Sequence, residues 1–385
     1  MKICFVTTSS ISIDSFIMPT FAALLEMGFE VSVVTCCLPG FKDRCNKTVK
    51  IHDYRVGRGF DFLGTIKSVF RFRTLCKKEK FDIVAYATPN GALYGALGSW
   101  LAGVPNRVLL QWGMRYVGFS GLMRKFIFTI EKFECHLSTN IRNVSEKNRL
   151  IAINEGMYRP EKCKVLGKGG TVGVDLEIYG LDKKKDYRRE IRQKYKLDND
   201  ALVYGFVGRV CVDKGVRELF GAFEEVAKTN PHALLMVIGG VDDNSGLTPD
   251  ELERVKNNAK ILLVGMIPNQ EVVKYLSACD VLVHPTYREG FGMVLQEAAA
   301  LEIPTITTNI PGASEAIVDG VTGLLAEKED IPTLVDAMTK MFDEKMRNQF
   351  GKAGRLRVEN FFERSVMVKR ICEDYLEIYR SNKQQ

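Results

Sequence analysis

Long hydrophobic runs are missing from the sequence. The longest apolar stretch, Ala92 to Val104, is 13 residues with three glycines, well short of the ~20 residues that cross a bilayer as a helix. No transmembrane helix is expected. The N-terminus breaks from Ile3-Cys4-Phe5-Val6 into Thr7-Thr8-Ser9-Ser10, so it also lacks the apolar core and cleavage pattern of an export signal. Cys-x-x-Cys pairs are absent although the chain has ten cysteines, and no Cys/His group has metal-ligand spacing. Neither a zinc site nor a disulfide framework is legible, and reduced thiols in a cytoplasmic protein fit better. No Asp-x-Asp metal motif with supporting ligands is evident, and Asp242-Asp243 reads as a solvated turn. Histidine is scarce: His52, His136, His232 and His284 are the four, none sits in a motif, and His284, closing an apolar run just ahead of a glycine-rich loop, could touch a substrate but reads better as a satisfied core-edge side chain.

What is present describes a globular chain. Its 385 residues are 46% hydrophobic and 26% charged, and at ~100 to 200 residues per domain this length predicts two domains. Charge is unevenly spread. Residues 1–165 hold 13 Lys and 11 Arg against 5 Asp and 8 Glu, a net +11, whereas the remaining 220 carry a net −4. The basic half therefore suits an anionic surface: nucleic acid, acidic lipid or a phosphate-bearing substrate.

Short apolar runs alternate with helical patterns in both halves. Ile3 to Thr7, Val31 to Thr35, Ile83 to Ala87, Val108 to Trp112, Ile141 to Ser145 and Lys164 to Leu166 read as strands, several of them continuous in the manner of parallel strands buried on both faces. A charged stretch from Asp175 to Asp200 reads as a connection ending in a solvated helix. The same grammar then restarts with Val203 to Val207, Leu234 to Ile238, Ile261 to Val264, Val281 to His284 and Thr305 to Thr307, alternating with helices near 215–229, 249–258, 270–278, 292–301 and 330–342. The pattern predicts an α/β protein of two doubly wound Rossmann-like domains, followed by a final helix from Phe361 to Arg380 that needs a surface to pack on.

In open α/β sheets ligands bind beyond the carboxyl ends of strands. The loop after Val207 reads Gly208-Arg209-Val210-Cys211-Val212-Asp213-Lys214-Gly215, where Arg209 and Lys214 suit a diphosphate that gains charge as it leaves. The loop after His284 leads through Glu289-Gly290-Phe291-Gly292-Met293-Val294 to Glu297. Glu289 can accept from sugar hydroxyls, Glu297 from ribose hydroxyls, and the amides of Gly290 to Val294 at the helix start can hold phosphate oxygens.

This Glu-x7-Glu arrangement resembles the retaining, family-4 glycosyltransferases of GT-B fold, and the resemblance covers nearly the whole chain. Val165 to Asp175, Ile310-Pro311-Gly312-Ala313-Ser314-Glu315 and Asp319-Gly320-Val321-Thr322-Gly323 match further motifs. The closest likeness is to bacterial enzymes of capsule, exopolysaccharide and lipid-linked oligosaccharide assembly. The resemblance implies two domains facing across a cleft: 1–178 for the acceptor, with 362–385 crossing back onto it, and 179–361 for the donor. It also implies transfer of a hexose or N-acetylhexosamine from a UDP-sugar, with retention, to a lipid-diphosphate-linked saccharide. Glu289, Arg209 and Lys214 are then the catalytic residues, and Gly208, Glu297 and Gly290 to Val294 bind the donor. No metal or tightly bound cofactor is needed.

The first loop departs from many relatives, reading Ser and Ile for glycine, and Gln111-Trp112-Gly113-Met114-Arg115-Tyr116 stands where they place a His. Trp112, Arg115 and Tyr116, at a strand end, are the acceptor-site candidates. Asn90-Gly91-Ala92 suits either the acceptor cleft or close helix packing. Two basic segments with apolar periodicity, Phe62 to Lys80 and Leu122 to Glu134, fit docking to an anionic membrane or a helix with a solvated outer face. The charge balance favours a peripheral protein at the inner face of the cell membrane. Alternatives are a nucleotide-sugar epimerase of the same fold, a catalytically silent scaffold, or a nucleic-acid-binding protein, although no nucleic-acid module interleaves the charges.

Overall fold

The computed structural model describes residues 1–54, 62–198, 200–242 and 245–383; the readings of Asp243 and of the Phe62 and Leu63 side chains fall outside these. The chain forms two compact units, Met1–Val172 with Arg364–Gln385, and Gly173–Glu363.

The first unit is a seven-stranded parallel sheet of β1 (Lys2–Ser9), β2 (Glu30–Cys36), β3 (Lys50–Asp53), β4 (Ile83–Tyr86), β5 (Asn106–Gln111), β6 (Asn140–Asn143) and β7 (Cys163–Val165), in the order 3-2-1-4-5-6-7. Alternate residues of each strand face opposite sides. Cys4 and Val6 thus join a core with Phe72, Tyr94 and Ile127 from covering helices, whereas Ile3 and Phe5 join Ile13, Phe21, Cys372 and Tyr375. Those last two lie on the helix Arg364–Lys383, which supplies apolar residues to this unit's core as expected. Tyr375 meets Phe5 edge-on at 5.7 Å. Beside it Asp374 accepts two bonds from the Arg142 guanidinium, at 2.6 and 3.0 Å.

The second unit is a six-stranded parallel sheet of β8 (Leu202–Val207), β9 (Ala233–Ile238), β10 (Ile261–Gly265), β11 (Val281–His284), β12 (Thr305–Thr308) and β13 (Gly323–Ala326), in the order 10-9-8-11-12-13. One face is covered by the helix Val216–Thr229 through Val216, Leu219, Phe220, Phe223 and Val226, the spacing of one helical stripe. On the other, Ile191 packs with Val203, Met236 and Tyr275.

That last contact corrects the reading of the charged stretch as a solvated connection. Its helix, Lys184–Lys194, belongs to the second unit, and Arg188 and Arg192 each bind Asp280 at 2.7 Å, Arg192 being only 7% exposed. Strands β3 and β13 and the helix Glu344–Phe361 were not expected, and the terminal helix starts at Arg364 rather than Phe361.

In each sheet the chain winds outward one way from its first strand and then the other, so β1 and β4, and β8 and β11, flank a topological switch point where two loops diverge and leave a crevice. Replacing Asp374 with Ala would leave the mostly buried Arg142 guanidinium without its carboxylate. The variant is expected to lose about 3 kcal/mol or more in chemical unfolding, and a loss below about 0.5 kcal/mol would show that this pair does not anchor the terminal helix.

Candidate functional site

The expected donor residues converge at the β8/β11 switch point. Lys214 ends the short 3-10 turn Val212–Lys214 after β8, and Glu289 lies on the loop after β11. The Lys214 ammonium donates to Glu289 Oε2 at 2.6 Å. A second staple joins the same loops: Arg288 Nε donates to both carboxylate oxygens of Asp213 at 3.0 and 3.1 Å, and the Tyr287 amide donates to the Asp213 carbonyl.

Two glycines allow this approach. Gly215 has φ +69°, and a Cβ there would fall 1.8 Å from the Pro285 carbonyl oxygen; the left-handed backbone and the missing side chain are both required. Gly312, at φ +86°, brings the loop after β12 against the carbonyls of Glu289 and Gly290, where a Cβ would sit 2.4 and 2.5 Å from them. The Ile310 to Glu315 motif thus supports the Glu289 loop from behind.

Other expected donor residues surround this pair. Arg209 follows Gly208 and pairs with Asp242, so Asp242 is not merely solvated. Gly292, at φ +87°, precedes the helix Met293–Ala300, which has no side-chain cap and no acid in its first turn. Phe291 is buried against Phe362, with ring centroids 5.5 Å apart, so its side chain is core and only its backbone faces the loop. Met293 and Val294 open the helix, and Glu297 stands half-buried one turn further along.

Sequence reading set His284 aside as a core-edge residue. Its side chain, 3% exposed, places Nε2 3.2 Å from Glu289 Oε2, and its ring lies near-parallel to Phe206 at 6.1 Å. The available signal was a polar residue ending an apolar strand at the switch point, five residues before an acid. Burial alone would raise the Glu289 carboxyl; the Lys214 ammonium, with the His284 ring behind it, overrides that and holds it well below its ordinary value of 4.5. Burial foremost pushes the His284 imidazole below its ordinary 6.5, so the ring is neutral at pH 7.

The acceptor candidates do not come together. Trp112 packs on Phe16 with ring centroids 4.9 Å apart. Tyr116 is fully buried, its ring edge-on to Phe128, because the turn Tyr116–Gly118 tucks it beneath the helix Gly121–Leu137; it is a core residue and not a contact for a ligand. Only Arg115 is exposed, on a groove of about 350 Å³ with Thr8, Ser9, Ile11, Ser12, Thr88, Pro89 and Asn90 at the β1/β4 switch point. Gly91 serves close packing, since a Cβ there would lie 2.8 Å from the Thr7 and Thr8 backbone, while its neighbour Asn90 lines the groove.

A carboxylate with a depressed folded pKa adds stability above its unfolded pKa and loses it as pH falls through the folded value. Glu289→Gln is therefore expected to destabilise the protein by a constant amount from about pH 8 down to about pH 5, the gap to wild type closing only in more acid solution. Unfolding curves across pH check this, and a gap that closed between about pH 8 and pH 6 would contradict the ion pair.

Residues 187–357 match the family described as glycosyl transferases group 1, and residues 14–159 match the glycosyl transferase 4-like domain. The chain is 31% identical over 318 residues, 82% of each chain, to the capsular polysaccharide biosynthesis glycosyltransferase CapM of Staphylococcus aureus. It is 25% identical over 325 residues to the UDP-Gal:alpha-D-GlcNAc-diphosphoundecaprenol alpha-1,3-galactosyltransferase of Escherichia coli, covering 83% of this chain and 82% of that one. The solved structure of Anabaena HepE with UDP and glucose shares the fold at a TM-score of 0.78 and 18% identity, over 98% of this chain and 100% of that one. With these matches over two parallel-sheet Rossmann-like units, the second carrying Lys214 and Glu289 at its switch point, the chain belongs to the group 1 glycosyltransferases of GT-B fold.

Proposed function

We propose that the protein transfers a hexose or N-acetylhexosamine from a UDP-sugar, with retention at the anomeric carbon, to a saccharide carried on a lipid diphosphate. The observation that carries this reading is the ion pair of Lys214 and Glu289 at the β8/β11 switch point, beside Arg209 and an uncapped helix start. A diphosphate placed there meets the Lys214 ammonium, the Arg209 guanidinium and the helix-end amides of Gly290 to Val294, which stabilise negative charge where it accumulates. Glu297 accepts from the ribose hydroxyls and Glu289 from the sugar. The bond from the anomeric carbon to the phosphate oxygen breaks, the acceptor oxygen bonds on the same face, and its proton passes to the departing diphosphate. The residues present meet the diphosphate charge without a metal ion. The activity for which the Escherichia coli relative is named, galactosyl transfer from UDP-Gal to a diphosphoundecaprenol-linked sugar, favours this chemistry over that of an epimerase, a scaffold or a nucleic-acid-binding protein.

The acceptor's anionic end suits the groove lined by Thr8, Ser9, Asn90 and Arg115. The helix Gly121–Leu137 supports an anionic membrane as the partner of the first unit. It buries Ile127, Cys135 and Leu137 but exposes Leu122 at 84%, Phe126 at 52%, Met123 and Phe133, with Lys125 and Lys132 also exposed. An ordinary covering helix has a polar outer face; this one presents apolar side chains among cations, the composition of a helix lying in a lipid interface.

One transfer assay tests both statements, using a lipid-linked acceptor in anionic vesicles and a short-chain soluble acceptor in parallel. The product is expected to keep the donor's anomeric configuration by NMR, and an inverted product, or no transfer from any UDP-hexose, would overturn the reading. The double variant Leu122→Glu, Phe126→Glu is expected to lose about 10-fold or more in the vesicle arm alone, because charged side chains enter an apolar interface poorly; equal rates in both arms would refute the docking face.

A further inference from the structure

We infer that His284 is a positioning residue, whose Nε2–H holds Glu289 in place when the donor diphosphate draws Lys214 away. The inference rests on the donor site just proposed. Two donors meet on one oxygen: Lys214 Nζ lies 2.6 Å and His284 Nε2 3.2 Å from Glu289 Oε2. Lys214 has two claims on it, since the ammonium that neutralises Glu289 is also the cation assigned to the diphosphate. A flexible four-carbon stem lets it move between them. His284 cannot follow, because it ends β11, its side chain is 3% exposed, its ring lies near-parallel to Phe206, and its backbone carbonyl accepts from Thr307 Oγ1 at 2.9 Å.

The ring's other nitrogen fixes the tautomer. Nδ1 is buried with no hydrogen-bond partner, so a proton there would be an orphaned donor, whereas a proton on Nε2 meets the carboxylate. The charged groups that act on the ring are Lys214 and Glu289. The ammonium disfavours an imidazolium, and burial keeps the ring neutral, as a fixed single donor requires. His284 thus supplies the contact that does not move, and Lys214 supplies the charge that does.

The test compares wild type, His284→Leu, which removes the donor, and His284→Gln, which keeps an N–H at similar reach. UDP affinity by calorimetry and the melting temperature accompany kcat and KM for the UDP-sugar. In the Leu variant kcat is expected to fall about 10²-fold, the scale of a small misplacement of a reacting group, with UDP affinity unchanged, and Gln is expected to restore most of it. Nitrogen NMR of the imidazole is expected to show the Nε2–H tautomer at neutral pH, with and without UDP. An Nδ1–H tautomer would overturn the inference even if the variants did not fold. An unchanged kcat in the Leu variant, or a folded Gln variant no better than Leu, would overturn it as well. Absence of wild-type turnover would instead defeat the donor-site reading, and the tautomer would still decide whether His284 donates to Glu289.

Discussion

A carboxylate held between an ammonium and a buried imidazole is the constraint on which the second unit's site depends. Bringing Glu289 out of water is costly, and the attraction of Lys214 offsets that cost only if the loops after β8 and β11 come within hydrogen-bond reach. Gly215 and Gly312 make that approach possible through backbone geometry that a side chain would block. Apolar residues of similar volume would commonly be as stable in such a place. The pair is thus a poor device for stability and a good one for chemistry, because it presents a cation and an anion together at a strand-end crevice.

Much of this was legible because the chemistry sits in loops that interrupt strong apolar runs. Arg209, Lys214, Glu289 and Glu297 follow strands whose continuous hydrophobicity announced them. What escaped lacked such a run. Strand β3 is an edge strand reading Lys-Ile-His-Asp, only partly buried, and β13, an edge strand of the second unit's sheet, is four residues long and opens on a glycine. The helix Glu344–Phe361 buries Phe350, Gly351, Gly354 and Val358. Glycines carry half of that contact face, one of them close enough that a Cβ would lie 2.4 Å from the Glu302 carbonyl, so hydrophobic periodicity could not reveal it.

The errors at single residues have the same origin. Tyr116 is four residues beyond a half-buried Trp112, and only a three-dimensional turn sends its ring into the core. Arg192 looked solvated because its sequence neighbours are charged, yet Asp280 and the Ala278 and Ala201 carbonyls receive its guanidinium. His284 looked like a satisfied core residue, and it is buried, but its partner is Glu289, the acid of the loop it leads into. Sequence spacing located the loops; pairing between loops needed the strand order. Within the first unit, the groove at the β1/β4 switch point is lined mainly by polar residues, and the helix Gly121–Leu137 exposes Leu122, Met123, Phe126 and Phe133.

The central claim is that Lys214 answers to the donor's diphosphate. Calorimetric titration of wild type and Lys214→Ala with UDP and with uridine tests it most directly. The account predicts that the variant loses UDP affinity far more than uridine affinity; equal losses for the two ligands, or an unchanged UDP affinity, would contradict it.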